Sequence, residues 1–290
     1  TYITHRCGYP LVSIDFKIIY KMLSYNIWLT ISWIAEKFEK NGDKILLILF
    51  FTSTDYAVYQ IGGIRIPFII IVITSISEIF LNKISEHSKN KNLSRIIYYY
   101  RNQIKLNIIY TLPILILCYY LIENILGIVF GIKYQDGVLV FYIINIGSLV
   151  QVFSFDYLFR GLGKTKILGY LNTIQFILFA LLTFIMINGY EIISVCISLT
   201  ASTILFGLIK LFFVQKFLKT PLSKILPFKI IAISLLVSFL GLAIIYPVNK
   251  LSFNPLIEIG MKISIYCVFI LYIYKKIGIF KLFSSLKSKN

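Results

Sequence analysis

Trp33-Ile34-Ala35-Glu36-Lys37-Phe38-Glu39-Lys40-Asn41-Gly42-Asp43-Lys44 sets six charged side chains inside a chain that is otherwise mostly apolar. Apolar residues run up to it from Ile18 and away from it to Phe51, and a further apolar run from about Tyr56 is interrupted by Arg65. An ionised side chain at the centre of a bilayer costs about 2.5–3.5 kcal/mol on insertion scales. Such charges persist where they face a wet cavity, or where the segment is a loop. Which of the two holds decides how many times the chain crosses a membrane.

The composition settles the broad class. Of 290 residues 58% are hydrophobic and only 14% charged, with a mean hydropathy of +0.85, whereas soluble domains carry about 25% charged residues. The chain reads as an all-α, polytopic membrane protein. Its net charge of +17 does not point to nucleic acid, because no basic face with interleaved aromatics is present. Lys and Arg fall instead between apolar runs, as cytoplasmic anchors do. Cys7, Cys118, Cys196 and Cys267 are far apart, and His5 and His87 lie in unrelated segments. No metal or redox spacing results, and no Ser/His/Asp or Cys/His set can be assembled. The expectation is a protein without metal or cofactor that is not an enzyme. The chain begins at Thr1 with no signal-peptide pattern and reads as the later part of a longer polypeptide.

Eight transmembrane helices are expected, over about 18–51, 56–81, 106–122, 138–158, 167–187, 192–213, 230–247 and 256–274. Basic residues collect in alternate links, 83–105, 160–166, 210–229 and 275–290, while the opposite links hold only Lys133 and Lys250. The positive-inside rule then puts both ends of the chain in the cytoplasm, and an even number of spans requires the same.

Gly161-Leu162-Gly163-Lys164-Thr165 has the look of a phosphate loop, but Leu158 stands where the first glycine of that motif belongs, and an apolar helix rather than a strand precedes it. It reads as a tight turn between spans. Glu258 and Lys262, four apart, read as a helix-face pair. The charges of the opening stretch are different. Glu36, Lys40, Asp43 and Lys44 recur at helical spacing, and Lys37 joins Lys40 and Lys44 on the adjoining strip. One reading is a helix stripe facing a hydrated cavity. The other is an extramembrane hairpin over Glu36–Lys44, which adds a span and breaks the agreement between charge bias and parity. Arg65, about ten residues into the second helix, cannot easily snorkel to the surface and is expected to face a polar interior.

These residues resemble the polysaccharide flippases of the multidrug, oligosaccharidyl-lipid and polysaccharide exporter superfamily, especially O-antigen and capsule repeat-unit flippases. Asp43-Lys44-Ile45-Leu46-Leu47 is similar to the family's Asp-Arg-aliphatic segment in the first helix of the second lobe, with Lys44 in place of Arg. Thr54-Asp55-Tyr56-Ala57-Val58-Tyr59 resembles the turn and Gly-aliphatic-Tyr that open the next helix, with Ala57 where glycine is common. Phe130-Gly131-Ile132-Lys133-Tyr134 resembles a recurrent Phe-Gly-x-x-Tyr, and Gly163-Lys164-Thr165-Lys166 a Gly-Lys-x-x turn.

The resemblance implies two six-helix lobes around a central cavity, followed by two further helices, of which this chain holds the second lobe and the extra pair. The corresponding divisions are a cytoplasmic lead-in over 1–17, the lobe over 18–213, a basic linker over 214–229, the two added helices over 230–274 and a basic tail over 275–290. It implies alternating-access translocation of undecaprenyl-diphosphate-linked oligosaccharide across the bacterial cytoplasmic (inner) membrane, for O-antigen, lipopolysaccharide or capsule biosynthesis. The polysaccharide polymerase and chain-length machinery follow as further partners beside the lipid bilayer. Lys37, Lys40, Lys44 and Arg65 are the expected substrate-binding residues of the cavity. Glu36, Glu39 and Asp43 are expected to balance charge or couple an ion, and Gly62, Gly63 and Pro67 to act as a hinge. The competing functions are a drug or cation antiporter of the same superfamily and a multi-span polysaccharide polymerase. The polymerase requires a larger outward loop than the short links here provide.

Overall fold

A computed structural model describes residues 16–250 and 254–278; within helices, the side chains of Ala35, Glu36, Glu39, Lys40, Ile132, Asn188, Tyr190 and Lys250 are outside the described set. All regular structure among the described residues is helical. In order, the helices are α1 (Phe16–Phe50), α2 (Ser53–Gly62), α3 (Pro67–Lys89), α4 (Leu93–Val129), α5 (Gly137–Ile146), α6 (Ser148–Gln151), α7 (Phe155–Gly161), α8 (Thr165–Leu218), α9 (Leu222–Ile225), α10 (Phe228–Ile245) and α11 (Pro255–Lys276). Seven segments among the described residues are long and apolar enough to cross a membrane. The first expected span, α1, is 35 residues long but lies outside those seven, in keeping with the charges through its middle.

The quoted stretch is helical throughout, so the hairpin alternative over Glu36–Lys44 is replaced by one continuous rod. Aromatic pairs fix how that rod sits. Trp28 meets Tyr170, Phe38 meets Phe176 and Phe50 meets Phe184, at ring separations of 4.8, 5.8 and 5.8 Å. The order is the same along both helices, so α1 and the first part of α8 run parallel. Four crossings separate two parallel spans in the expected scheme, and an added span would have reversed one of them. The seam is also polar at one point, where the Asn172 amide donates to Ser32 Oγ at 2.6 Å.

The second expected helix, continuous over about 56–81, is in fact broken. α2 ends at Gly62, α3 starts at Pro67, and Ile66 between them is extended with φ −63° and ψ 106°. A proline lacks an N–H and disfavours helical backbone in the residue before it, so Pro67 opens α3 at its first turn rather than bending a longer helix. The start of α2 is fixed by a capping box in which Thr52 and Asp55 satisfy each other's backbone N–H groups. The expected basic link over 83–105 is likewise corrected. That stretch is helical on both sides of a turn at Lys91, where φ is 52°. The 37 residues of α4 outrun the roughly 30 Å hydrocarbon core, and Phe80, Ile84, Ile96 and Tyr100 interlock along the hairpin.

The fourth expected span is interrupted twice, between α5 and α6 and between α6 and α7. At the second break Ser154 sits in the left-handed region, φ 47° and ψ 46°. Backbone carbonyls freed inside an apolar layer need protein partners, and α4 provides them. The Asn107 amide donates to Val152 O at 2.9 Å and to Ser154 Oγ at 2.9 Å, the Tyr100 hydroxyl donates to Phe153 O at 2.9 Å, and the Ser77 hydroxyl donates to Ser154 Oγ at 2.8 Å. α8 folds back on itself at Glu191, where φ is 47°, into apolar runs over Thr165–Ile187 and Glu191–Leu218. Phe179, Val195, Cys196 and Leu199 close that hairpin.

In lipid, helices associate through close packing rather than by leaving water, and small residues mark the closest approaches. A Cβ on Gly62 would lie 2.2 Å from Gly137 O, so α2 and α5 touch backbone to backbone. α10 and α11 pack on α4, where the Tyr266 hydroxyl donates to the carbonyl of Pro113, and the expected Glu258–Lys262 pair forms there with Lys262 almost wholly buried. Gly62→Ala is expected to cost about 1–3 kcal/mol, because no flexible side chain can yield to the new methyl group. Gly127→Ala, which meets nothing within 4 Å, is the neutral control, and thermal midpoints of the two detergent-solubilised variants check the difference.

Candidate functional site

Two neighbouring cavities with charged groups in their linings lie among these helices. The larger, about 390 Å³, is walled by α1, the α2–α3 break, α3, α5 to α7 and both runs of α8, and its charged lining consists of Arg65, Asp156, Arg160 and Lys210. The smaller, about 320 Å³, is lined by Asp43, Lys44, Tyr59, Gln60 and neighbours from the same break. Arg65, Gln151 and Ile70 line both. Three cations against one carboxylate make the larger space net positive within helices otherwise suited to lipid.

Each charge reaches its place for a local reason. Arg65 sits on the irregular backbone between Gly63 and Ile66, half-buried beside both cavities, because the break turns that position away from the apolar exterior. Asp43 is buried on α1 and accepts from the Tyr59 hydroxyl at 2.6 Å and from the Lys44 backbone N–H at 2.7 Å. Lys210 is also buried and lies 3.6 Å from Asp156. Breaking such a pair by removing one partner leaves an uncompensated charge. Arg160 lies 5.6 Å from the Tyr157 ring, with its Nε buried and without a hydrogen-bond partner.

The expected site residues divide into groups. Lys44 and Arg65 line a cavity, and Asp43 lies beside them in the smaller one. Lys37 is exposed, its ammonium 5.3 Å from the centre of the Trp33 ring, and it is absent from both linings. The side chains of Glu36, Glu39 and Lys40 lie outside the described residues. Gly62 packs against Gly137, Gly63 caps α2, and Pro67 opens α3. Residues that the sequence reading missed are Gln151, Asp156, Arg160, Asn172, Gln175 and Lys210. A signal for part of this set existed: Thr200, Thr203, Gly207 and Lys210 recur three or four apart and form one stripe on the second run of α8. Among the described residues no group of three His, Cys, Asp or Glu side chains could hold a metal ion.

Residues 1–139 match the family described as polysaccharide biosynthesis protein. Among solved structures the fold is similar to that of a lipid II flippase, MurJ, in its inward closed conformation. The TM-score is 0.67 at 18% sequence identity, over 95% of this chain and 59% of that one. The chain thus spans less than two thirds of that flippase's length. No curated protein matches it by sequence. The family match covers just under half of this chain, and the likeness to the flippase structure is one of fold.

A wet cavity makes a direct prediction. In a background with the native cysteines replaced, Thr203→Cys and Lys44→Cys are expected to react with a membrane-impermeant thiol reagent. Val268→Cys, exposed on α11, is expected to react only with a lipid-soluble maleimide, and mass spectrometry of the labelled protein reads both.

Proposed function

We propose that the chain forms the second lobe, with two added helices, of a flippase that moves undecaprenyl-diphosphate-linked oligosaccharide from the cytoplasmic to the outer leaflet of the bacterial inner membrane, for O-antigen or capsular polysaccharide assembly. The observation that carries this reading is the net-positive cavity of Arg65, Arg160 and Lys210 against Asp156, set within membrane-spanning helices. Sugar hydroxyls and a diphosphate cannot shed their hydration into hydrocarbon, whereas a polyprenyl chain can remain there. A cavity carrying an excess of cations raises the local concentration of an anionic group, and guanidinium groups engage phosphate oxygens through charge-assisted hydrogen bonds.

In this reading Arg65, at the junction of the two cavities, and Lys44 beside it hold the diphosphate. Asp43 balances their charge through a carboxylate already fixed by Tyr59. The Lys210–Asp156 pair limits the excess at the other side. The break over 63–66 is where α2 and α3 change their angle as the lobes rock, since irregular backbone lining a cavity is the usual place for such movement in transporters. Both ends of the chain face the cytoplasm, supported by the alternation of basic links and by the parallel run of α1 and the first part of α8. A polysaccharide polymerase and chain-length machinery receive the cargo on the far side.

Arg65→Ala is expected to lower surface polysaccharide in a complementation assay at least ten-fold with membrane insertion intact, and Arg65→Lys to restore part of it. Normal polysaccharide with Arg65→Ala at equal protein level would remove the support for the reading.

A further inference from the structure

The diphosphate accounts for the cations but not for the uncharged part of the larger cavity's lining. There the lining is uncharged and rich in hydrogen-bonding groups, with Asn172 and Gln175 from the first run of α8 and Thr200 and Thr203 from the second. Trp33 of α1 lines the same space, next in sequence to Ser32, the hydrogen-bond partner of Asn172. Asn172 and Gln175 are three apart and share one helix face. Two carboxamides, hydroxyls and an indole are gathered at membrane depth, where each polar group is costly unless it is bonded.

Asn172 is the informative member. It is 4% exposed, and its amide nitrogen is held by Ser32 Oγ at 2.6 Å, which fixes the orientation of the side chain. Its carbonyl oxygen is buried with no partner. A buried acceptor left unmet is costly, and Asn172 lines the cavity. A ligand with hydroxyl donors meets it, and the Thr200 and Thr203 hydroxyls, which donate to Ile143 O and Leu199 O, keep lone pairs to accept. Indole adds a flat apolar surface whose negative π-face suits the weakly positive C–H groups of a pyranose. The volume, about 390 Å³, lies within the range of about 300–1,000 Å³ that encloses small ligands.

We infer that Asn172, Gln175 and Trp33 form a subsite for an uncharged pyranose ring of the cargo, separate from the cations that take its diphosphate. The inference rests on the proposed function and deepens it, by making this seam the place where the sugar next to the diphosphate is read. A site built to bond hydroxyls rejects ligands that lack them, because its own polar groups are then left unmet.

The test uses the full chain in detergent with Trp28→Phe, which leaves Trp33 as the single tryptophan and its fluorescence as the binding signal. The probes are undecaprenyl diphosphate bearing no sugar and undecaprenyl diphosphate bearing a neutral N-acetylhexosamine-containing disaccharide. The glycosylated lipid is expected to bind at least ten-fold tighter than the bare one. Asn172→Leu and, separately, Gln175→Leu are expected to shrink that ratio to less than three-fold with affinity for the bare lipid unchanged. Should Asn172→Leu disturb folding through loss of the Ser32 bond, seen as a lower thermal midpoint, Gln175→Leu decides alone. Equal weakening of both lipids, or an unchanged ratio, overturns the sugar subsite and leaves the proposed function standing. If neither lipid binds the unsubstituted protein, the proposed function itself fails, and the subsite with it.

Discussion

A carbonyl set free inside hydrocarbon has no water to turn to, and this constraint governs how the helices are arranged. The break between α6 and α7 releases the carbonyls of Val152 and Phe153 and forces Ser154 into a left-handed conformation. It persists because Asn107, Tyr100 and Ser77 approach from α4 and α3 with the missing donors. That arrangement in turn keeps α7 close to the second run of α8, where Asp156 meets Lys210. The cavity is therefore a product of irregular backbone, and the irregular backbone is a product of a few buried polar side chains on a neighbouring helix.

Buried charge obeys the same rule. Asp43 is held by Tyr59, Lys210 by Asp156 and Lys262 by Glu258. Each group that leaves water takes a partner with it, as a low-dielectric surrounding demands. Arg65 and Arg160 line the cavity and take part in no ion pair among the described residues. The distribution separates charges that hold helices together from charges left facing the cavity.

Much of the architecture was legible because apolar length is a strong signal, and the parallel seam of α1 and α8 agrees with the parity of the charge pattern. The helix breaks were less so. Gly62, Gly63 and Pro67 suggest flexibility in a continuous helix, and only the packing of Gly62 on Gly137 shows that the first serves close contact. Arg65, Lys44 and Asp43 stood out as ions in apolar runs, whereas Asp156, Arg160 and Lys210 lie near the ends of spans, where hydropathy assigns charges to links. Asn172 and Gln175 carry no charge at all, and nothing in the sequence separates them from the many polar residues that merely bond their own helix. Their placement needs the α1–α8 seam, which is set by rings far apart in the chain.

The backbone contact of Gly62 with Gly137 carries a mechanical consequence. Side chains between helices can re-sort their rotamers and let the surfaces slide, but two bare peptide units have nothing to re-sort. α2 and α5 therefore behave as one fixed post, with irregular segments leaving it on both sides, at 63–66 and at 147–154. Any reshaping of the cavity is thereby shared out to those two segments, and Arg65, carried on the first of them, shifts with it.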